Sequence, residues 1–238
     1  MLGGLHKLIV VATSDVHSPR YLLQYVVALS KHSEPCREAG VVLWAGDMVE
    51  RGRVEALLPV VEATRKKCSS ARIVSVFGNE EYIDREAYFI KRYPYVVWLN
   101  DSYIVVDGKD KSIAIYGSRG VLDRPTRWQR RNIPGIDAVY KRRAEKTAAM
   151  LKQLREKADV VVLVTHYAPS YLTLEGEDPK IWPELGSKTM EKILLGTKPD
   201  IAVHGHAHRS KRLEASINGT RIVNVAFPAR RDIVVIEL

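Results

Sequence analysis

Apolar and polar positions follow two rhythms along this chain. Leu8–Ala12, Val41–Ala45, Ile73–Phe77, Val160–Val164 and Ile201–Val203 are short unbroken apolar runs, the pattern of strands buried on both faces of a sheet. Leu22, Tyr25, Val26 and Leu29 recur at helical spacing, as do Val54, Leu57, Leu58 and Val61, and later Ala144, Ala148, Leu151 and Leu154. Ser18-Pro19 predicts an N-cap and first helical residue for a helix that ends by Pro35, and Pro59 predicts a kink or a delayed start in the next one. A loop with Pro169, Gly176, Pro179 and Pro183 leads to a helix expected around Lys188–Leu195. In the middle the rhythm changes. Val96–Leu99, Tyr103–Val106 and Ile113–Tyr116, separated by Asn100-Asp101 and Asp107-Gly108, predict an antiparallel meander. Arg221–Val225 and Ile233–Ile236 close the chain as strands.

Strands alternating with helices define an α/β protein. The 238 residues show no repeat, linker or low-complexity segment, so one domain over 1–238 is expected. Hydrophobic residues at 46% and charged residues at 27% are ordinary for a soluble globular chain. No apolar run approaches the ~18 residues of a membrane span, so no membrane partner is expected. Met1–Ala12 leads into Thr13-Ser14-Asp15 without a small-residue cleavage site and is read as a first strand rather than a signal peptide. Cys36 and Cys68, both in expected surface connections, are too few for a disulfide scaffold and imply a reducing, cytoplasmic setting.

The net charge of +9 permits binding to phosphorylated partners without establishing it. Its distribution says more. Arg119, Arg124, Arg127, Arg130, Arg131, Lys141, Arg142 and Arg143 face only Asp123 and Asp137 in one window, a local excess of six. Guanidinium groups with Trp128 and Tyr140 interleaved suit a polyanion whose bases stack on aromatics, against the plain reading of a solvated face. Contact with substrate phosphate by one or two of these arginines is expected.

The chemistry sits at the strand ends. Five apolar runs finish, in order, at Asp15-x-His17, Gly46-Asp47, Gly78-Asn79, His166 and Gly205-His206-x-His208. In open α/β sheets ligands gather at the carboxyl ends of strands. Each fragment alone is common, and a single histidine after a strand is usually a hydrogen-bonded structural residue, which is the reading for His6, His32 and His204. Seven such side chains together are not explained by packing. Buried without partners each would cost about 1–3 kcal/mol, a cost that a metal centre removes. Carboxylate, imidazole and amide donors without a thiolate suit Mn2+, Fe or Zn2+ rather than a structural zinc finger. Asp47, central and with two oxygens, can bridge two ions roughly 3.5–4 Å apart. Tyr167 and Asn224 are further candidates for the pocket wall.

In order and spacing these motifs resemble the calcineurin-like metallophosphoesterases, whose pattern is D-x-H, G-D-x-x-D-R-G, G-N-H-[D/E], H and G-H-x-H. The resemblance spans Asp15 to His208. It implies a four-layer αββα sandwich, with two mixed β-sheets flanked by helices. It also implies two divalent metal ions, Mn2+ foremost with Fe, Zn2+, Ni2+ or Co2+ as alternatives. One would be held by Asp15, His17, Asp47 and His208, the other by Asp47, Asn79, His166 and His206. A hydroxide bridging the metals would attack phosphorus in line, making Asp47, Asn79, Glu80 and His166 the catalytic set. The segment Arg119–Pro125 resembles small archaeal members of the family.

The chain departs from the pattern twice. Glu50 stands where the family has Asp and is expected still to hold Arg51. Glu80 replaces the histidine that in the family contacts phosphate and assists the leaving group, while Glu81 fits the acidic position after it. An anionic Glu80 opposes a dianionic monoester more than a monoanionic diester; a protonated Glu80 could act as general acid, and one that pairs with a nearby arginine or faces solvent would do neither. The expectation is a phosphoesterase that prefers diesters, acting on a phosphoester substrate such as a nucleotide or nucleic acid. The alternatives are a non-catalytic metal-binding scaffold, as in a retromer subunit of this fold, or a nuclease. Charge favours the nuclease, but the chain lacks the extra domains with which family nucleases hold duplex DNA.

Overall fold

The computed structural model describes residues 8–107 and 111–238; His6, the Met1–Lys7 start and the Gly108 turn position lie outside them. In chain order its strands are β1 (Ile9–Thr13), β2 (Ala39–Trp44), β3 (Arg72–Val76), β4 (Val96–Leu99), β5 (Ser102–Asp107), β6 (Ser112–Ser118), β7 (Val160–Thr165), β8 (Ile201–His204), β9 (Glu214–Ile217), β10 (Thr220–Asn224) and β11 (Val234–Glu237). The helices are α1 (Leu22–Lys31), α2 (Ser33–Glu38), α3 (Leu58–Lys67), α4 (Glu86–Arg92), α5 (Arg127–Asn132), α6 (Ile136–Arg155), α7 (Lys188–Thr197) and α8 (Phe227–Arg230).

One sheet has the order β11-β1-β2-β3-β4, parallel from β1 to β4 with β11 antiparallel at the edge. The other runs β5-β6-β7-β8-β10-β9, parallel from β6 to β10 and flanked by antiparallel β5 and β9. Side chains alternate along each strand, and this alternation builds the layers. Val11, Val42 and Trp44 pack outward against Tyr25 and Leu29 of α1 and Val60 and Val61 of α3. Val10, Ala12, Val41 and Leu43 point the other way and meet Ile113, Ile115, Val162 and Val164 of the second sheet. Val161 and Leu163 then face Ala144, Leu151 and Leu154 of α6 and Met190 and Leu194 of α7. Three apolar interfaces separate four layers, the αββα sandwich with two mixed sheets.

Pro59 acts as its position predicts: a 3-10 turn over Val54–Leu57 precedes α3, whose first turn contains the proline. Three local expectations need correction. Ser18 does not cap a helix, because its N–H donates to Met48 O (2.9 Å) in a bridge between Ser18 and Val49, and α1 begins only at Leu22. The middle strands are not a meander. The short helix α4 supplies a crossover that lets β4 pair parallel with β3, and only β5 and β6 form an antiparallel hairpin, in the other sheet. Cys36 and Cys68 are buried in the core beneath α1 and α3 rather than lying on the surface, two small apolar side chains with free thiols.

Candidate metal centre

β1, β2 and β3 run parallel, so their carboxyl ends open on one edge of the first sheet, where the ends of β7 and β8 meet them. The chain turns sharply as it leaves these strands. Asp15 (φ 56°), His17 (φ 44°), Asp47 (φ 54°) and His206 (φ 67°) all sit in the left-handed region, uncommon for residues with a Cβ and maintained only where neighbours enforce it. The neighbours here are backbone: Asp15 N donates to Gly46 O (2.9 Å) and His17 N to Asp47 O (3.0 Å), so the first two turns lock side by side. Two glycines are required by close approach. A Cβ on Gly78 would collide with Asp47 Oδ1, and one on Gly205 with Ser14 Oγ and Asp15 Oδ2.

The metal-capable side chains fall into two groups, Asp15 with His17 and His208, and Asp47 with His166 and His206, each with ligand atoms within 4.8 Å of one another. His208 Nε2 lies 2.8 Å from Asp15 Oδ1 and His17 Nε2 3.8 Å from it. The other oxygen, Asp15 Oδ2, accepts from Ser14 Oγ (2.5 Å) and His206 N (3.0 Å), which orients the carboxylate. In the second group His166 Nδ1 lies 2.9 Å from Ala45 O. A carbonyl only accepts, so Nδ1 carries the proton and Nε2 presents its lone pair. That lone pair meets Asn79 Oδ1 at 2.9 Å and Asp47 Oδ2 at 3.5 Å. The His166 nitrogen and the Asn79 and Asp47 oxygens thus converge on one point, an arrangement that a cation completes.

The electrostatics agree. Burial pushes the His166 imidazole well below its ordinary value, as it does that of His206, lowered to about 4, so both are neutral and ligand-ready near pH 7. Burial also drives the Asp47 carboxyl well above the usual range, reinforced by the charges of Glu81 and Asp15. Burial works on Asp15 in the same direction, but His208, His166 and His17 together outweigh it and hold that carboxyl far below the range. Carboxylates from Asp15, Asp47 and Glu81 are thus crowded into one buried region, where divalent cations would relieve their repulsion. The donor set fits two such ions.

Beneath the ligands lies a support to which motif reading assigned no role. Glu81 is buried and accepts backbone hydrogen bonds from Gly78 N (2.7 Å), Asp47 N (2.8 Å), Met48 N (2.7 Å) and Val49 N (3.3 Å). One side chain therefore ties the Asp47 turn to the Asn79 turn. Arg119, counted in the sequence among the surface cations, is buried instead. It donates to Gly78 O and to Glu81 O (3.2 Å), and pairs with Glu86 Oε1 at 2.6 Å, reaching from the second sheet to clamp the same loop. For Glu81 the signal was its match to the acidic position of the family's G-N-H-[D/E] pattern, which gave no role; for Arg119 the sequence carried none.

Above the ligands opens a cleft of about 690 Å³ with His17, Asp47, Asn79, His206 and His208 at its base. Asp15 and His166 lie beneath it, fully buried. Glu80 lines the cleft, its N–H donating to Asp47 Oδ1 (2.7 Å) and its Oε2 accepting from Arg51 N (2.6 Å). Glu50 does not hold Arg51, because Arg20 reaches its carboxylate first, with Nε 2.7 Å from Oε1. Tyr167 backs the imidazoles rather than lining the cleft: its ring packs against His166 and His206, with centroids 5.3 and 4.9 Å away. Asn224 likewise braces the His206–His208 turn through Ala207 O (2.9 Å). His204 is structural, bonded to Thr173 Oγ1 and Gly205 O, and His32 pairs with Asp232. No arginine of the Arg119–Arg143 window reaches the cleft, whose arginines are Arg20, Arg51 and Arg209. Arg124 and Arg143 turn instead to Glu184 and Asp101, and Tyr140 is 6% exposed, too buried to stack on a ligand.

Comparison with known proteins places this geometry. The calcineurin-like phosphoesterase family matches residues 8–210, and the chain belongs to that family. Among solved structures it is similar to the phosphopantetheinyl hydrolase PptH of Mycobacterium tuberculosis, with a TM-score of 0.68, 18% identity, and 95% of this chain and 92% of that one covered. It is also similar to a dimetal phosphatase of Danio rerio, with a TM-score of 0.62, 11% identity, and 91% and 86% covered. A putative 5'-nucleotidase of Staphylococcus aureus aligns with a TM-score of 0.58 and 15% identity over 92% of this chain and 48% of that one. Among curated proteins nothing matches the sequence. Family and ligand groups together support a dinuclear divalent metal site and metal-dependent phosphoester hydrolysis. No helix among the described residues is long and apolar enough to cross a membrane.

Proposed function

We propose that this protein is a dinuclear-metal phosphoesterase that prefers phosphodiesters to phosphomonoesters. In this reading Asp15, His17 and His208 would hold one ion, Asn79, His166 and His206 the other, and Asp47 would be shared between them. Mn2+ is the favoured metal, given oxygen and imidazole donors without thiolate. Bound divalent ions supply Lewis-acid stabilisation of the phosphoryl oxygens and a nucleophile at neutral pH.

The chain's own residues do the rest. Neutral His166, with its tautomer set by Ala45 O, donates a lone pair without adding charge. Glu81 and Arg119 keep the Asp47 and Asn79 turns in register, which holds the reacting groups in place. Asp47, Asn79, His166 and Glu80 form the catalytic set.

The observation that carries the preference is the position of Glu80. Its backbone is bonded to Asp47, and its carboxylate stands in the cleft against the Arg51 N–H. A negative charge there repels a monoester dianion more than a diester monoanion. The cysteines, both free thiols, support the cytoplasmic reading.

Turnover of an aryl phosphodiester and the matching monoester in Mn2+ tests the proposal, with faster diester turnover expected. Clearly faster monoester turnover would refute the preference. Stoichiometric metal with no turnover across a panel of phosphoesters would favour the scaffold reading.

A further inference from the structure

Three arginines of the Arg119–Arg143 window that the cleft does not use, Arg127, Arg130 and Arg131, lie together on α5. This helix has six residues, too few to be stable alone, and two devices fix it. A capping box joins Thr126 and Gln129, with Gln129 N donating to Thr126 Oγ1 (3.2 Å) and Thr126 N to Gln129 Oε1 (2.9 Å). The buried Gln129 amide then donates to Tyr167 OH at 3.0 Å. With Gln129 turned inward, Arg127, Trp128, Arg130 and Arg131 are all left exposed, Trp128 by 62%. None of these arginines pairs with a carboxylate among the described residues, whereas Arg119, Arg124 and Arg143 of the same window are matched to Glu86, Glu184 and Asp101. Lys141 and Arg142 continue the exposed excess onto α6.

The fold therefore holds rigidly a small face made of three guanidinium groups and one indole. Guanidinium forks match phosphate oxygens, and an exposed indole offers a flat surface for a base. A membrane-surface helix would need a broad apolar stripe, and Trp128 is the single apolar side chain on this face. A duplex keeps its base faces stacked inside, so the indole finds a partner only on an unpaired strand. The helix is also tied to the metal centre: Gln129 bonds Tyr167, whose ring packs on His166 and His206, so two side chains link α5 to those ligands through the interior.

We propose that α5 is a docking platform for single-stranded nucleic acid. On the phosphodiesterase reading above, on which this part rests, the docked strand is the substrate class of the adjacent centre.

The test is fluorescence anisotropy of a labelled oligouridine 12-mer with the full chain in EDTA, where cleavage cannot intervene. Wild type should bind with an affinity that falls steeply with salt. Replacing Arg127, Arg130 and Arg131 together by Ala should weaken binding at least ~100-fold and flatten the log–log salt slope by about 2, at roughly 0.7 per lost phosphate contact. Trp128→Ala should cost about tenfold with an unchanged slope. Circular dichroism of each variant confirms folding, since all four side chains are exposed. Variants that bind as tightly as wild type, or a wild type that binds anionic phospholipid vesicles but no oligonucleotide, overturn the platform. Aryl-diester turnover with Mn2+ on the same preparations separates the two readings. Turnover without oligonucleotide binding removes the platform alone, and α5-dependent binding without turnover removes the phosphoesterase reading alone.

Discussion

The floor of the metal centre and the outer face of α5 both gather charge, and the molecule treats them in opposite ways. On the floor the charges of Glu81, Arg119 and Asp15 are answered within the chain, and Asp47 is left for the proposed ions. Glu81 accepts four backbone N–H groups, Arg119 meets Glu86 and two carbonyls, and Asp15 sits among three histidines. On α5 the arginines meet no carboxylate among the described residues, and the side chains tied down are the buried Gln129 and Asn132, which donates to Trp128 O. Buried charge without partners is too costly to keep, so the floor is over-determined and has one geometry. Exposed charge costs little, so the face of α5 is free to be answered by something outside the chain.

Substitutions can break this contrast, starting with the floor. Asp47→Asn should lower phosphodiester turnover roughly 10³-fold or more with the fold intact, because it removes a charge from the proposed bridge; steady-state kinetics beside circular dichroism checks both halves. Glu81→Gln turns a donor toward the cluster of backbone N–H groups. It should destabilise by roughly 2–6 kcal/mol, two buried hydrogen bonds left unmade, as read by denaturant unfolding. Arg119→Met empties the clamp without touching the cleft. A fall in kcat of about 10–100-fold with KM little changed is expected, the pattern of a residue that acts through Asn79. Glu80→His should raise monoester turnover relative to diester by about tenfold, and an unchanged ratio would remove Glu80 as the selector.

The smallest effect concerns pH. Burial lowers His204 to about 4 from an ordinary 6.5, so the unfolded state binds a proton that the folded state refuses between those values. Stability from this residue is complete above about 6.5 and is lost as pH falls toward 4, amounting to about 2 kcal/mol at pH 5. Unfolding curves at pH 7 and pH 5 should show this loss, and His204→Gln should reduce it.

Much of the centre was legible in the sequence because strand ends announce themselves. An unbroken apolar run that stops at Gly-Asp or Gly-Asn can only place the carboxylate or amide at the sheet edge, and Asp15, Asp47, Asn79, His166, His206 and His208 all lie where that reading put them. Gly78 and Gly205, letters of the same motifs, prove to be pressed against aspartate oxygens. What escaped depends on side-chain direction. Arg119 and Arg127 look alike in sequence, yet one crosses between the sheets and the other faces solvent. Glu50 was expected to hold Arg51, but the left-handed turn at Arg51 (φ 53°) accompanies a partner change to Arg20. The parallel pairing of β4 was missed because α4, the crossover that permits it, has only seven residues and a weak pattern.

The central claim is that two metal ions share Asp47. Isothermal titration of metal-free protein with Mn2+, with metal content measured after gel filtration, tests it most directly. Two ions per wild-type chain, and loss of both sites or a sharp weakening of both in Asp47→Asn, is the expected result. One ion per chain, or two that bind Asp47→Asn as tightly as wild type, would contradict it.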